Sequence, residues 1–229
     1  MTIRPIEIAP SILSADFTCI EHEVKSAQEA GADRIHCDVM DGNFVPNITF
    51  GPLVVEAVRR SVTIPLDVHL MILNPERHIN DFCSAGATTL IVHAEVCNDL
   101  PGIAAALRKK GVRPAISVNP DKPASLFLDH LKHFDQVLIM TVFAGFGGQK
   151  FMPEMLDKIA EVHREAARRQ LPLDIEVDGG INERTATECA HAGANVFVSG
   201  SYIFGHDDYP SRIKAIRDAA TKGREALGA

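Results

Sequence analysis

From one end of the chain to the other, short apolar runs rich in β-branched residues alternate with longer amphipathic segments. The short runs fall near 6–9, 33–39, 65–70, 88–93, 113–118, 135–141, 173–178 and 195–199. The amphipathic segments follow them in turn, at about 18–30, 51–60, 75–85, 99–110, 123–131, 153–169, 183–192 and 209–221. A strand followed by a helix, repeated through the chain, makes successive strands parallel, because each helix carries the chain back to the same edge. Eight such units within 229 residues predict a closed (β/α)8 TIM barrel, with 1–229 as a single α/β domain. An open, doubly wound sheet is the alternative. It would favour Gly-x-Gly-x-x-Gly after the first strand, where this chain has Pro10-Ser11-Ile12-Leu13.

Local punctuation agrees with the alternation. Gly31, Gly86, Gly111 and Gly193 each follow a helical segment, where a left-handed cap is wanted, and each precedes a strand by a few residues. Asn74-Pro75 and Asn182-Glu183 read as helix starts. No linker or low-complexity tract divides the chain, and a short polar tail at about 222–229 is expected to fray.

Composition excludes several classes of function. The net charge is −7, without a basic cluster, which argues against nucleic acid or a membrane surface as partner. An anionic substrate would then be held locally, by backbone N–H groups. No apolar run approaches the roughly 20 residues of a membrane span, and the start lacks the apolar core of a signal peptide. The five cysteines are odd in number and none is spaced Cys-x-x-Cys, as expected of reduced structural thiols in a cytoplasmic protein.

Polar residues collect where the predicted strands end: Ser11, Asp38, His69, His93, Asn119, Thr141, Asp178 and Ser201. In a (β/α)8 barrel these ends build the active site. The second strand reads His36-Cys37-Asp38-Val39-Met40 and the third Asp67-Val68-His69-Leu70-Met71. Alternate side chains share a face, so two imidazoles, two carboxylates and two thioethers are aimed at one space. Burying such groups without partners costs on the order of 2–7 kcal/mol each.

His36, Asp38, His69 and Asp178, from three strands, could surround one divalent ion. A buried hydrogen-bonded network without metal is the plainer interpretation for a lone histidine. Two histidines with two acids at strand ends favour the ion. Such mixed nitrogen and oxygen donors accept zinc, iron(II), manganese or cobalt. The histidines at 22, 78, 130, 133, 163, 191 and 206 fall on helices or loops and are expected at the surface. His93 ends a strand, and three roles stay open for it: support of a ligand, a substrate contact, or a satisfied core histidine.

Glycines recur after the last three strands: Gly145-Phe146-Gly147-Gly148, Gly179-Gly180 and Gly200-Ser201. Any one of them could be a turn. Three on one rim predict a phosphate cradle of backbone amides, with 145–148 as a mobile lid. Met40, Met71 and Met140 also sit at strand ends. They are either core filler or a polarisable floor under a planar intermediate.

These stretches resemble the ribulose-phosphate 3-epimerase family. The resemblance is carried by Ile8 through Phe17, His36 through Asn47, Leu66 through Met71, Gly145 through Phe151, Glu176 through Gly180, and Gly200 through Gly205. It implies a (β/α)8 barrel that interconverts D-ribulose 5-phosphate and D-xylulose 5-phosphate with a divalent metal. It implies His36, Asp38, His69 and Asp178 as metal ligands, with Asp38 and Asp178 also the acid–base pair. Ser11, His69, Gly145, Phe146, Gly147, Gly148, Gly179, Gly180, Gly200 and Ser201 would contact the sugar phosphate. The family further suggests a homo-oligomer.

One loop departs from the family pattern. Met140 is followed by Thr141-Val142-Phe143-Ala144-Gly145, where the family usually has a small or polar pair and then proline. Ala144 relaxes the backbone restraint at the root of the loop, and Phe143 brings a ring to the sugar rim if it points inward. A 3-epimerase of another ketose phosphate, such as D-allulose 6-phosphate, is therefore the alternative. A non-catalytic sugar-phosphate sensor would need the rim but not two opposed acids. A decarboxylase or aldolase of related barrels would carry Asp-x-Lys-x-x-Asp on the third strand, and this chain has no lysine there.

Overall fold

A computed structural model describes residues 4–227. Its strands are β1 (Glu7–Pro10), β2 (Ile35–Met40), β3 (Leu66–Met71), β4 (Thr89–His93), β5 (Arg113–Val118), β6 (Gln136–Met140), β7 (Asp174–Asp178) and β8 (Val196–Ser199). The helices are α1 (Ile20–Glu29), α2 (Pro52–Ser61), α3 (Ile79–Ser84), α4 (Leu100–Lys109), α5 (Ser125–Leu128), α6 (Met155–Arg168), α7 (Glu183–Ala192), α8 (Ser201–Phe204) and α9 (Tyr209–Leu227). All strand pairs are parallel, in the order β1-β8-β7-β6-β5-β4-β3-β2. A parallel bridge from Ser11 to His36 joins the two remaining edges. The fold is the expected (β/α)8 barrel.

The strands alternate because their two faces meet different surroundings. Outward residues such as Ile35, Cys37, Val39, Leu66, Val68 and Leu70 join the main core under the helices. Inward residues form smaller apolar groups, among them Ile91, Ala115, Leu138 and Met140, and leave the remaining interior to polar side chains. At the N-terminal end of the barrel, Arg34 donates to Asp67 (2.9 Å), Gln136 (2.5 Å) and Asp174 (3.3 Å), and also pairs with Glu7. Asp174 accepts in addition from Arg4, Arg113 and Asn195. Asp67, grouped by strand alternation with the ligand face, therefore belongs to this lower network. Alternation fixes the face of a residue but not its depth.

The four glycine caps at 31, 86, 111 and 193 all have positive φ, and Asn182 caps α7 in a full capping box. The helix expected over 75–85 is divided: a short 3-10 turn spans Pro75–Arg77 and α3 begins at Ile79, with His78 between them at φ −111° and ψ −2°. The polar segment expected as a tail from about 222 is helical as far as it is described. Helix α9 continues to Leu227, and at Gly223 it lies so close to α7 that an added Cβ would sit 2.2 Å from the Thr187 carbonyl oxygen. Residues 228 and 229 lie outside the described residues.

Candidate active site and metal centre

Three adjacent or facing strands deliver the four expected ligands. In the β2–β3 register, Asp38 lies beside His69 and Met40 beside Met71. Asp178 ends β7, opposite Met140 on β6. His36, Asp38, His69 and Asp178 each present one ligand atom, and these atoms all lie within 4.8 Å of one another. Ser11 Oγ donates to Asp38 Oδ2 at 2.6 Å, and His69 Nδ1 lies 3.1 Å from Asp38 Oδ1.

His36 is the telling member. It is fully buried, with Nε2 3.3 Å from Asp38 and Nδ1 3.3 Å from Glu176. Neither nitrogen is in hydrogen-bonding geometry. An enclosed imidazole with both nitrogens unpartnered is costly. A nitrogen lone pair facing two carboxylates and a second imidazole fits a borderline divalent cation. The residues therefore suit the ion that was expected.

The two aspartates are driven in opposite directions. Burial alone would raise Asp38, but His36 and His69 beside it hold its carboxyl well below the usual carboxylate range. For Asp178, burial and then the charge of Asp38 push the pKa up to about 8. Two carboxyls with separated pKa values are the electrostatic signature of a base paired with an acid. For His36, burial opposes protonation but the Asp38 and Glu176 carboxylates outweigh it and raise the pKa. Burial and the neighbouring His93 lower His69 to about 4.

Above these groups opens a cavity of about 500 Å³. Its wall contains Ser11, Asp38, Asp178, Gly145, Phe146, Gly147, Gly148, Gly179, Gly180, Gly200 and Ser201, which were all expected at the site. Met40, Met71 and Met140 line it as well. His36 and His69 are not on the wall. His69 is enclosed by its neighbours: Asp38 Oδ1 lies 3.1 Å from its Nδ1, and His93 Nε2 lies 2.8 Å from its Nε2. His93 itself is fully buried and lies between His69 and Glu95, with its Nδ1 3.2 Å from Glu95 Oε1.

The rim is built by close approach. Gly180 has φ 65°, and a Cβ there would lie 2.8 Å from the backbone nitrogen of Phe151, so no larger residue fits without moving the chain. Across the cavity, the Gly145 carbonyl accepts from Asn47 Nδ2 at 3.1 Å. Gln149 Nε2 braces the loop from inside by donating to the Phe143 and Phe146 carbonyls at 2.7 and 2.8 Å. Phe143 does face the cavity and is 49% exposed. The Ala144 N–H, which a proline would lack, donates to Asn119 Oδ1 at 3.2 Å.

Sequence reasoning missed Lys150, Arg184 and Tyr202, which also line the cavity. The net charge had directed attention to backbone donors. The usable signal was position: Lys150 closes the glycine loop, and Arg184 stands two residues beyond the cap that follows Gly179-Gly180.

Comparison with known proteins fits this geometry. Residues 7–204 match the Ribulose-phosphate 3 epimerase family. The chain belongs to that family. A ribulose-phosphate 3-epimerase of Bacillus subtilis (strain 168) is 49% identical over 213 residues, covering 93% of this chain and 98% of the relative. One from Synechocystis sp. is 44% identical over 218 residues, covering 94% and 95%. The chloroplastic ribulose-5-phosphate-3-epimerase of Arabidopsis thaliana is 44% identical, covering 93% and 76%. Among solved structures, the 3-keto-L-gulonate-6-phosphate decarboxylase of Vibrio cholerae superposes with a TM-score of 0.70 at 14% identity, covering 96% of this chain and 98% of its own. That likeness concerns the fold alone. The ribulose-phosphate 3-epimerase family comprises enzymes acting on carbohydrates, and this chain is one of them. No helix among its described residues is long and apolar enough to cross a membrane.

Proposed function

We propose that this enzyme interconverts D-ribulose 5-phosphate and D-xylulose 5-phosphate by proton transfer at C3. The observation that carries the proposal is the pairing of Asp38 with Asp178, two carboxyls of opposite pKa shift at the floor of a glycine-rimmed cavity. Inversion at carbon needs one group to remove a proton from one face and another to return it on the opposite face. In the ribulose direction, one of the two aspartates takes the C3 proton and the other returns one to the opposite side of the planar enediolate. In the reverse direction the roles exchange.

Ser11 holds Asp38 in position through its 2.6 Å hydrogen bond. His36, Asp38, His69 and Asp178 would hold a divalent cation, which as a Lewis acid acidifies the C3–H and stabilises negative charge on the neighbouring oxygens. The three methionines give the intermediate an apolar, polarisable floor and keep water from it. The backbone amides of Gly147, Gly148, Gly180 and Ser201, with Lys150 and Arg184 on the same wall, would bind the phosphate. Family membership supports a homo-oligomer, which light scattering would measure.

Phe143 on the cavity wall supports a second reading, in which a longer ketose phosphate such as D-allulose 6-phosphate is used. One experiment separates the two. The metal-loaded enzyme is incubated with each sugar phosphate in D₂O while the C3 proton is followed by NMR. Exchange of that proton in ribulose 5-phosphate, with growth of deuterated xylulose 5-phosphate, is the expected result. Exchange confined to allulose 6-phosphate transfers the assignment to that substrate, and exchange in neither, with metal bound, removes the catalytic proposal.

A further inference from the structure

The hydrogen bonds at the root of the glycine lid lead back to a candidate metal ligand. Asn119, just beyond β5, accepts from the Ala144 N–H through Oδ1 at 3.2 Å. Its Nδ2 and backbone N–H both donate to Glu95 Oε1, at 3.1 and 3.0 Å. The same oxygen lies 3.2 Å from His93 Nδ1. His93 Nε2 in turn lies 2.8 Å from His69 Nε2, with the two ring planes only 17° apart. A continuous chain of polar contacts thus runs from His69 to Ala144 at the root of the lid.

We propose that Asn119 is a positioning residue that couples the lid to His69, so that a cation on His69 stiffens the lid before substrate arrives. The inference rests on the metal reading above. The physical reason is the direction of the protons. His69 turns Nδ1 toward Asp38 and Nε2 toward His93, so Nδ1 is the nitrogen open to a cation. A cation there takes the Nδ1 lone pair and leaves the ring proton on Nε2, which donates to His93 Nε2. The proton of His93 then sits on Nδ1 and donates to Glu95 Oε1. Glu95 fixes the Asn119 amide with Nδ2 toward itself, and that turns Oδ1 to the Ala144 N–H.

With the other His69 tautomer, the ring proton goes to Asp38. His93 must then turn its own proton toward His69 and present a lone pair to the Glu95 carboxylate, which loosens the chain. The net charge is the same in both arrangements. Only the tautomers differ, and a metal ligand's second nitrogen commonly sets such a choice.

The test reads the lid without turnover. Cobalt(II) is titrated into metal-free enzyme without substrate, its visible spectrum reporting occupancy. Hydrogen–deuterium exchange of residues 141–150 reports the lid. In the wild type, cobalt should slow lid exchange by about fivefold, the worth of one hydrogen bond. Asn119→Ala and Ala144→Pro should bind cobalt with the same spectrum but show no such response, whereas Ala144→Ser, which keeps the N–H, should respond as the wild type does. Cobalt bound with unchanged lid exchange in the wild type overturns the coupling and leaves the metal centre standing. If cobalt does not bind, the metal centre and the coupling fall together. The tether alone is then judged in metal-free protein, where equal lid exchange in the wild type and Asn119→Ala overturns it as well.

Discussion

At the scale of single residues, the site depends on carboxyls whose surroundings separate them. Asp38→Asn and Asp178→Asn each remove one proton-transfer group while keeping an oxygen at the same place. Each should lower turnover by about 10²–10⁴-fold or more. Metal affinity, measured by calorimetry on the same variants, separates lost chemistry from lost ligation. Substantial activity in either metal-loaded variant would exclude that aspartate from the acid–base pair. The same groups govern metal binding. Asp178, at about 8, and His36, raised above its ordinary value, both hold protons near neutrality in the metal-free enzyme. A cation needs their lone pairs, so binding must expel protons. Apparent affinity should rise with pH through neutrality and past about 8, where Asp178 loses its proton. Calorimetry at neutral pH in two buffers of different ionisation enthalpy should show proton release, and identical heats in both would contradict the assigned protonation.

At the scale of elements, α7 and α9 pack closely enough for one atom to matter. Alanine is normally better than glycine inside a helix by about 1 kcal/mol. At Gly223 the sign should reverse, because the added Cβ meets the Thr187 carbonyl at 2.2 Å. Gly223→Ala should therefore lower the thermal midpoint, and a raised midpoint would mean that the helices separate at little cost. Strand positions were readable in advance to within a residue or two, since each strand has one face against the helices and one against the barrel interior. The short elements were less readable. Helix α8 spans only Ser201–Phe204 and α5 only Ser125–Leu128, too few residues for a periodic pattern to emerge. The division of the 75–85 segment falls at His78, which no proline or glycine marks in the sequence.

At the scale of the whole molecule, the polar network at the N-terminal end of the barrel ties strands together through the barrel interior. Asp174 gathers Arg4, Arg34, Arg113 and Asn195. Burial would raise its pKa, but these hydrogen bonds and charges hold it below the ordinary value of 3.8. A depressed folded-state pKa gives stability that is complete above the unfolded value and lost as pH falls through the folded one. Asp174→Asn leaves Arg34 buried with less compensation and should cost about 3–5 kcal/mol at neutral pH. That difference from the wild type should shrink as the medium is acidified below about pH 4. Denaturant unfolding at a series of pH values would check this, and a constant difference would show that Asp174 does not titrate as argued.

By itself the sequence determined the number and order of the strands, the face of each strand residue and the identity of the polar residues at the strand ends. These are local properties: a period of two sets a face, and a polar residue ending an apolar run sets a rim. Depth and partnership were decided only by the tertiary structure. Asp67 and His69 share a face on β3, yet Asp67 joins Arg34 and His69 joins Asp38 and His93. The link from His93 through Glu95 and Asn119 to Ala144 gathers residues from three separate strand ends. No periodicity encodes such contacts, because they arise from how the closed sheet staggers its neighbouring strands.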